Sequence, residues 1–260
     1  MKRPFGQNFL FDPGILRKIV NCGDISDSET VVEIGPGLGT LTRFISKRAK
    51  RVIAIEFDKK LIGRLTENLS DLSNVEIITG DALKYPFDNI SGRFKVVANI
   101  PYYITTPLIF KLLEFREKIS TMTLLLQKEV ARRMAAPPGS KEYGVLSISI
   151  QFYTKPEIRF IVSRKAFSPP PSVDSAVVHF DIPVKPIYIT SDVSFFFAVV
   201  KSAFMQRRKM LSNSLSKFNG IMEGLDEAGI DRKKRPEELS IEDFIKLADA
   251  LYFHYNNERQ

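Results

Sequence analysis

Short apolar runs alternate with amphipathic stretches along the first half of the chain. The runs predict five strands, at residues 30–35, 51–56, 75–81, 95–99 and 121–127. An Asp12-Pro13 start signal precedes the first predicted helix, whose apolar face consists of Ile15, Leu16, Ile19 and Val20. Later helices are expected around residues 39–48, 61–69 and 106–113. Strands that are apolar almost throughout and alternate with helices predict a parallel sheet covered on both faces.

The second half of the chain has a different pattern. Residues 137–144 and 167–172 are predicted loops, and strands at 158–162 and 175–182 flank the second loop. Segment 144–152 alternates apolar and polar residues like a strand, but its place after a loop also suits a buried helix, so both interpretations stay open. From about residue 190 the spacing is helical to the end. We therefore expect two domains, residues 1–188 and residues 189–260.

Composition narrows the class of protein. The chain has 260 residues, 44% apolar and 26% charged, which is ordinary for a folded protein. No stretch approaches the roughly 18 apolar residues of a spanning helix, and Asp12 and Pro13 interrupt any signal-like core, so no membrane association is expected. The single cysteine, Cys22, excludes an internal disulfide and favours a cytoplasmic location. A monomer is expected because no coiled-coil heptads are present.

Charge points to a polyanionic partner. The net charge is +8; residues 1–190 hold 27 basic and 19 acidic side chains, whereas residues 191–260 hold 11 of each. The basic excess of the longer part suits a nucleic acid. His179 and His254 have no companions at metal-ligand spacing, so no metal site is expected.

A glycine-rich turn and two carboxylates indicate a nucleotide-like cofactor. Gly35, Gly37 and Gly39 follow the first strand, one residue tighter than the dinucleotide fingerprint. Glu56 ends the second strand and can accept from the hydroxyls of a ribose, and Asp81 follows the third and can accept from an adenine amine. The ligand is a nicotinamide or flavin dinucleotide or S-adenosylmethionine; the tighter turn and Asp81 favour S-adenosylmethionine.

The fourth strand ends in Asn99-Ile100-Pro101-Tyr102, a set of groups that suits methylation of a nucleobase amine. An exocyclic amine becomes nucleophilic when its N–H groups donate to fixed acceptors, here the Asn99 side-chain oxygen and a carbonyl at Ile100-Pro101. Proline fixes the turn, and Tyr102 can stack on a splayed-out base. These four residues are the predicted catalytic group.

Seven sequence blocks resemble the ribosomal RNA adenine N6,N6-dimethyltransferases. NIPY is similar to that family's N-L-P-Y motif, and the other blocks, in the family's order, are GQNFL (6–10), VVEIGPGLGTLT (31–42), GDAL (80–83), FSPPPSVDSAV (167–177) and FMQRRKMLSNSL (204–215) with RPEEL (235–239). The resemblance implies a class I methyltransferase with a Rossmann-like sheet, a catalytic domain at 1–188 and a small all-helical, RNA-binding domain at 189–260. It also implies a helix at 144–152.

The resemblance also implies an activity and its partner. The family transfers four methyl groups from S-adenosylmethionine to two adjacent adenosines in the 3′-terminal hairpin of small-subunit ribosomal RNA. The expected partner is therefore this RNA in an assembling small ribosomal subunit. The alternatives are a related enzyme that methylates large-subunit RNA, a non-catalytic assembly factor and a nicotinamide-dependent oxidoreductase, in which the NIPY turn would have no role.

Site residues follow from the matching motifs. The implied cofactor contacts are Asn8, Leu10, Gly35, Gly37, Glu56, Asp81, Ala82 and Asn99. Tyr102 and Phe167 would sandwich the target adenine. The chain departs from the family pattern at Ile100, where Leu is usual, and at Tyr103, where Asn or Gln is usual. Candidate phosphate contacts are Arg132-Arg133 and Arg207-Arg208-Lys209, whereas Arg232-Lys233-Lys234-Arg235 is taken as a solvated surface.

Overall fold

A computed structural model describes residues 8–257, with side chains as far as residue 254. The described part of the chain forms two compact units. The first contains the residues up to Ala131 together with 155–184, and the second contains 132–154 together with the residues from Lys185 onward. Residues 132–154 thus belong to the second unit, whereas the expected boundary at 188 placed them in the first. Gly6 and Gln7 of the GQNFL block lie outside the described residues.

Within residues 8–257, the first unit contains a seven-stranded sheet and a two-stranded one. The strands are β1 (Phe9–Leu10), β2 (Thr30–Ile34), β3 (Arg51–Glu56), β4 (Val75–Thr79), β5 (Phe94–Asn99), β6 (Ile119–Gln127), β7 (Lys155–Val162), β8 (Phe167–Ser168) and β9 (Ser175–Asp181). The main sheet has the order β4-β3-β2-β5-β6-β9-β7, and β1 pairs with β8. The predicted strands are therefore confirmed.

The prediction of a parallel sheet is confirmed for the five strands on which it rested, and the structure adds one strand, β9, that runs against them. Strands β4, β3, β2, β5 and β6 are parallel, but β9 is antiparallel to both β6 and β7. Strand β9 follows β7 through residues 163–174, a connection without a crossover helix, and such a connection joins antiparallel neighbours. The sheet is accordingly mixed.

Helices of the first unit bury the main sheet on both faces. They are α1 (Pro13–Cys22), α2 (Thr40–Ser46), α3 (Lys59–Asn68), α4 (Thr105–Glu114) and α5 (Lys128–Met134), which leads out of the unit. Val31 and Val97 pack in one cluster with residues of α1 and α2. Their strand neighbours Val32 and Val96 point to the opposite face, because side chains alternate along a strand, and they are equally inaccessible. The expected two-sided coverage is confirmed.

The second unit consists of helices around an aromatic core. They are α6 (Val145–Gln151), α7 (Val193–Met205), α8 (Leu211–Ser214), α9 (Ile221–Glu227) and α10 (Ile241–Asn257). Segment 144–152 is therefore helical; its alternation misleads because Ser147 is buried and donates to the Arg133 carbonyl, while Phe152 lies 4.9 Å from the Phe196 ring. No helix in the described residues is long and apolar enough to cross a bilayer.

Candidate functional site

Two adjoining cavities open where the parallel strands end. The small cavity, about 60 Å³, is lined by Asn8, Phe9, Gly35, Gly37, Glu56, Asn99, Ile100, Pro101, Tyr102 and Phe167. The large cavity, about 270 Å³, is lined by Ile34, Gly35, Ile55, Glu56, Phe57, Asp58, Gly80, Asp81, Ala82, Leu83, Pro101, Tyr103 and Ile104. Gly35, Glu56 and Pro101 line both cavities. Carboxyl ends of parallel strands meet at one edge of a sheet, which is why residues so distant in sequence come together here.

The turn after β2 needs glycine for two separate reasons. Gly35 has φ 68° and Gly37 has φ 61°, in the left-handed region that other residues rarely adopt. A Cβ at Gly37 would also lie 2.9 Å from Cε1 of Phe9. The missing side chain thus lets the N-terminal segment lie directly against the turn.

Glu56 is the buried carboxylate that lines both cavities. Its Oε2 accepts from the Gly37 N–H at 3.0 Å and its Oε1 from the Asp58 N–H at 2.8 Å. Burial raises the pKa of Glu56, and the two N–H donors oppose that rise. Each carboxylate oxygen keeps further lone pairs, so the group can still accept from hydroxyls of a ligand.

The large cavity combines one more carboxylate with two exposed rings. Asp81 accepts from the Leu83 N–H at 3.0 Å through Oδ1, which leaves Oδ2 for a ligand. Phe57 is 52% exposed and Tyr103 57% exposed, unusually high for large rings at a cavity. Burial, then the charges of Asp81 and Glu56, raise the pKa of Tyr103. The sequence reasoning missed Phe57 as a site residue; an aromatic directly after a strand end was the available signal.

The NIPY turn leaves a specific pair of oxygens for a substrate. Asn99 ends β5, and its Nδ2 donates to the Asn8 carbonyl at 3.2 Å, so Oδ1 is the atom that can accept. The Pro101 carbonyl already accepts from the Ile104 N–H at 3.1 Å and from the Thr105 hydroxyl at 3.4 Å. The Ile100 carbonyl therefore becomes the better candidate for the second acceptor.

Two aromatic residues of the small cavity are attached to distant strands. The Tyr102 hydroxyl lies 2.7 Å from the Ser175 Oγ, a partner that the sequence reasoning missed. Phe167 is 5% exposed and pairs with Leu10 between β8 and β1. Leu10 lines neither cavity; its side chain is buried in the core, so it anchors the N-terminal segment while Phe9 reaches the cavity.

The predicted phosphate contacts divide into engaged and exposed groups. Arg207 donates to the carbonyls of Lys141 at 2.8 Å and Ser140 at 3.3 Å, so it ties a loop of the second unit in place. Arg232, from the run that was expected to be a solvated surface rather than a phosphate contact, pairs with Asp226 at 2.5 Å. The remaining candidates are exposed: Arg132, Arg133, Arg208 and Lys209.

Both histidines have protein partners. His179 is buried, with Nδ1 2.9 Å from the Thr123 hydroxyl and Nε2 3.3 Å from Asp181. His254 Nε2 lies 3.1 Å from Glu227 Oε1. Among the residues that the structure describes, no group of three or more His, Cys, Asp or Glu side chains is placed to hold a metal ion.

Fold and site together define a class I methyltransferase. In the main sheet, β9 runs antiparallel to the other six described strands. The strand order places the glycine turn after β2, Glu56 at the end of β3 and Asp81 after β4. The NIPY turn follows β5 on the other side of β2. The fold class expected from the sequence blocks is confirmed.

Comparison with known proteins specifies the family. The family described as Ribosomal RNA adenine dimethylase matches residues 1–252. Ribosomal RNA small subunit methyltransferase A of Bacillus mycoides strain KBAB4 is 46% identical over a 268-residue alignment that covers 97% of this chain and 92% of that protein. The protein of the same name from Bacillus cereus strain AH187 is 45% identical with the same coverage. The chain belongs to the ribosomal RNA adenine dimethylase family.

Solved structures agree with this assignment. A dimethyladenosine transferase from Plasmodium falciparum superposes with a TM-score of 0.83 at 29% identity, covering 96% of this chain and 98% of that one. The 23S rRNA methyltransferase ErmE superposes with a TM-score of 0.78 at 27% identity, covering 94% of this chain and 100% of that one. The similarity to both therefore extends over nearly the whole length of each chain.

Proposed function

We propose that this protein transfers methyl groups from S-adenosylmethionine to the N6 amines of adenosines in small-subunit ribosomal RNA. One observation carries the chemical part of the proposal. The cavity that holds the acceptor oxygens of the NIPY turn adjoins the larger cavity lined by Glu56 and Asp81, and the two share Gly35, Glu56 and Pro101. A methyl donor and an acceptor amine can therefore meet at that junction.

The residues of the large cavity fit S-adenosylmethionine. Glu56 can still accept hydrogen bonds from the ribose hydroxyls, and Asp81 Oδ2 can accept one from the adenine amine. Ala82 and Phe57 offer apolar surface to the adenine ring. Gly35 and Gly37 bring backbone close to the methionine end. When bound, this cofactor supplies a methyl group already activated by its positive sulfonium.

The NIPY turn then acts on the adenosine amine. Asn99 Oδ1 and the Ile100 carbonyl accept the two N6 hydrogens, which withdraws the nitrogen lone pair from the ring and directs it outward. Both oxygens are fixed before the substrate binds. The hydrogen bond from the Asn99 amide to the Asn8 carbonyl orients Asn99 Oδ1, and the proline turn orients the Ile100 carbonyl, so little reorganisation is needed during transfer. No general base is required because the ammonium product loses its proton to water.

Two rings would hold the base in place. Tyr102 and Phe167 both line the small cavity, and Tyr102 is tied by its hydroxyl while Phe167 is fixed in β8. A base splayed out of the RNA can stack between them, which is worth about 1–3 kcal/mol for each aromatic contact.

The finer substrate assignment rests on the relatives named small-subunit methyltransferases, at 46% and 45% identity. We assign as targets two adjacent adenosines of the 3′-terminal hairpin, each dimethylated, in an assembling small subunit. The first unit, residues up to 131 with 155–184, would be catalytic, and the second unit, residues 132–154 with those from 185 onward, would bind RNA. A monomer acting in the cytoplasm, where ribosomes are assembled, fits this role.

The test is methyl transfer from labelled S-adenosylmethionine to unmodified small subunits, large-subunit RNA and free adenosine, with products resolved by mass. The Asn99→Ala protein is the control for non-enzymatic label. Dimethyladenosine on the small subunit alone supports the proposal. Label on large-subunit RNA would instead assign the chain an ErmE-like substrate. Cofactor binding without methyl transfer to any RNA would mean that the protein is a non-catalytic assembly factor.

A further inference from the structure

The Tyr102 side chain is held at its far end by a hydrogen bond to a residue of a distant strand. It belongs to a short 3₁₀ turn, Tyr102–Ile104, yet its hydroxyl lies 2.7 Å from the Oγ of Ser175, which is 73 residues away in sequence. Ser175 is fully buried, whereas Tyr102 is only partly buried and lines the small cavity. A buried hydroxyl thus fixes the far end of a ring that faces the site.

Ser175 is itself held from both sides. As the first residue of β9 it lies between Gln127 of β6 and Val162 of β7. The preceding residue, Asp174, accepts from the Lys128 N–H at 3.0 Å and, through Oδ1, from the Arg164 N–H at 3.1 Å. The Ser175 hydroxyl is therefore a fixed point of the sheet, and the turn of Tyr102 is the more adjustable partner.

We propose that Ser175 is a positioning residue for methyl transfer, which holds the Tyr102 ring at the place that a stacked adenine requires. This inference rests on the proposed function of the small cavity. The Tyr102 oxygen lies on the long axis of the ring, so the hydrogen bond limits the swing of the ring about χ1. A ring held at both ends loses less conformational freedom when a base stacks on it than a ring held at one end. Burial raises the pKa of Tyr102, so its hydroxyl stays protonated and able to keep this hydrogen bond in a neutral assay.

The role predicts a particular pattern of kinetics. Tyr102→Phe keeps the ring but removes the hydroxyl that forms the hydrogen bond with Ser175. Ser175→Ala removes the other partner of the same hydrogen bond. Each should lower kcat by about three- to tenfold, the range for loss of one neutral hydrogen bond. Because a single bond is lost in either case, the double variant should be no slower than the slower single variant. Cofactor affinity should not change, since neither residue lines the large cavity.

The experiment compares the wild type, both single variants and the double variant. For each protein it measures kcat and KM on unmodified small subunits, the Kd of S-adenosylmethionine by calorimetry, and the midpoint of thermal unfolding. Ser46→Ala is the matched control, because Ser46 is also buried in the first unit and donates to the Arg43 carbonyl at 3.1 Å. We expect both single variants to lose kcat to a similar extent with wild-type Kd, and Ser46→Ala to keep its kcat.

Several results would overturn the inference. Multiplying effects in the double variant would mean that the two side chains act separately, and a loss of cofactor affinity in Ser175→Ala that matches its loss of rate would mean a general structural role. If Ser175→Ala does not fold, Tyr102→Phe decides alone: wild-type kcat in that variant refutes the positioning role. Inactivity of the wild type on every RNA would refute the proposed function and this inference with it, whereas an active wild type with normal variants refutes only the inference.

Discussion

Glu33 is a buried acid whose removal should change how stability depends on pH. It lies within β2, opposite Ala54 of β3, and is 1% exposed. Its Oε2 has no hydrogen-bond partner among residues 8–257. Burial, with a smaller contribution from the charge of Glu56, raises the pKa of Glu33 from 4.5 to about 8. The folded protein therefore holds a proton on Glu33 that the unfolded chain releases.

The sign and size of the effect follow from this difference. Because the folded pKa is above the unfolded one, the contribution of Glu33 is fully present below pH 4.5 and is lost as the pH rises towards 8. At about 1.4 kcal/mol per unit, the free energy of unfolding should fall by about 3–4 kcal/mol between pH 5 and pH 8 because of this one group. Glu33→Gln cannot titrate and should remove that loss.

The assay is urea unfolding followed by circular dichroism at four pH values between 5 and 8. We expect Glu33→Gln to match the wild type near pH 5 and to exceed it increasingly at higher pH. Glu67→Gln, an exposed change of the same charge in α3, is the control and should leave the pH profile of the wild type intact. A constant difference between Glu33→Gln and wild type at every pH would refute the raised pKa.

Four further predictions test the site. Asn99→Ala should lower kcat by about 10²–10³-fold because one held acceptor is lost, while calorimetry still detects cofactor binding; near-normal turnover would exclude the amine-orienting role. Glu56→Ala should raise the Kd of S-adenosylmethionine by about 10²-fold or more through loss of charge-assisted hydrogen bonds, and an unchanged titration would contradict the ribose assignment. Phe167→Ala should cost about 1–3 kcal/mol in kcat/KM for RNA, and an unchanged value would remove this ring from the base sandwich. Tyr103→Asn should weaken cofactor binding by about three- to tenfold through loss of apolar cover, with an unaltered Kd as the contrary result.

Local patterns predicted which residues line the two cavities at the strand ends. Each of the strands β2, β3 and β5 is a continuous apolar run followed directly by its turn residues. The strand ends that carry Glu56 and Asn99 could therefore be identified from the sequence. Ser240 and Asp243 form another local feature, a capping box with reciprocal hydrogen bonds of 3.1 and 3.0 Å between residues three apart in sequence.

Contacts between distant segments could not be predicted in the same way. The Tyr102–Ser175 bond and the pairing of Leu10 with Phe167 depend on the register of strands far apart in the chain, which no local pattern specifies. The hydrogen bond from Arg207 to the Lys141 carbonyl could not be predicted either, because the sequence of a charged run does not show whether its side chains bind carbonyls or face solvent. The residues that line the cavities were therefore easier to predict than the residues that hold them in place.

The interleaving of the two units has a consequence for how the protein is made. Residues 132–154 precede β7 and β9, which complete the sheet of the first unit, whereas the helices α7 and α10 that share their core follow later in the chain. Ile148 and Phe152 therefore lack part of their cluster until α7 and the helices after it have been synthesised. A fragment that ends at residue 188 would stay in that condition permanently and would tend to aggregate. A fragment of the first unit would therefore need residues 132–154 replaced by a short linker, and a fragment of the second unit would need to keep them.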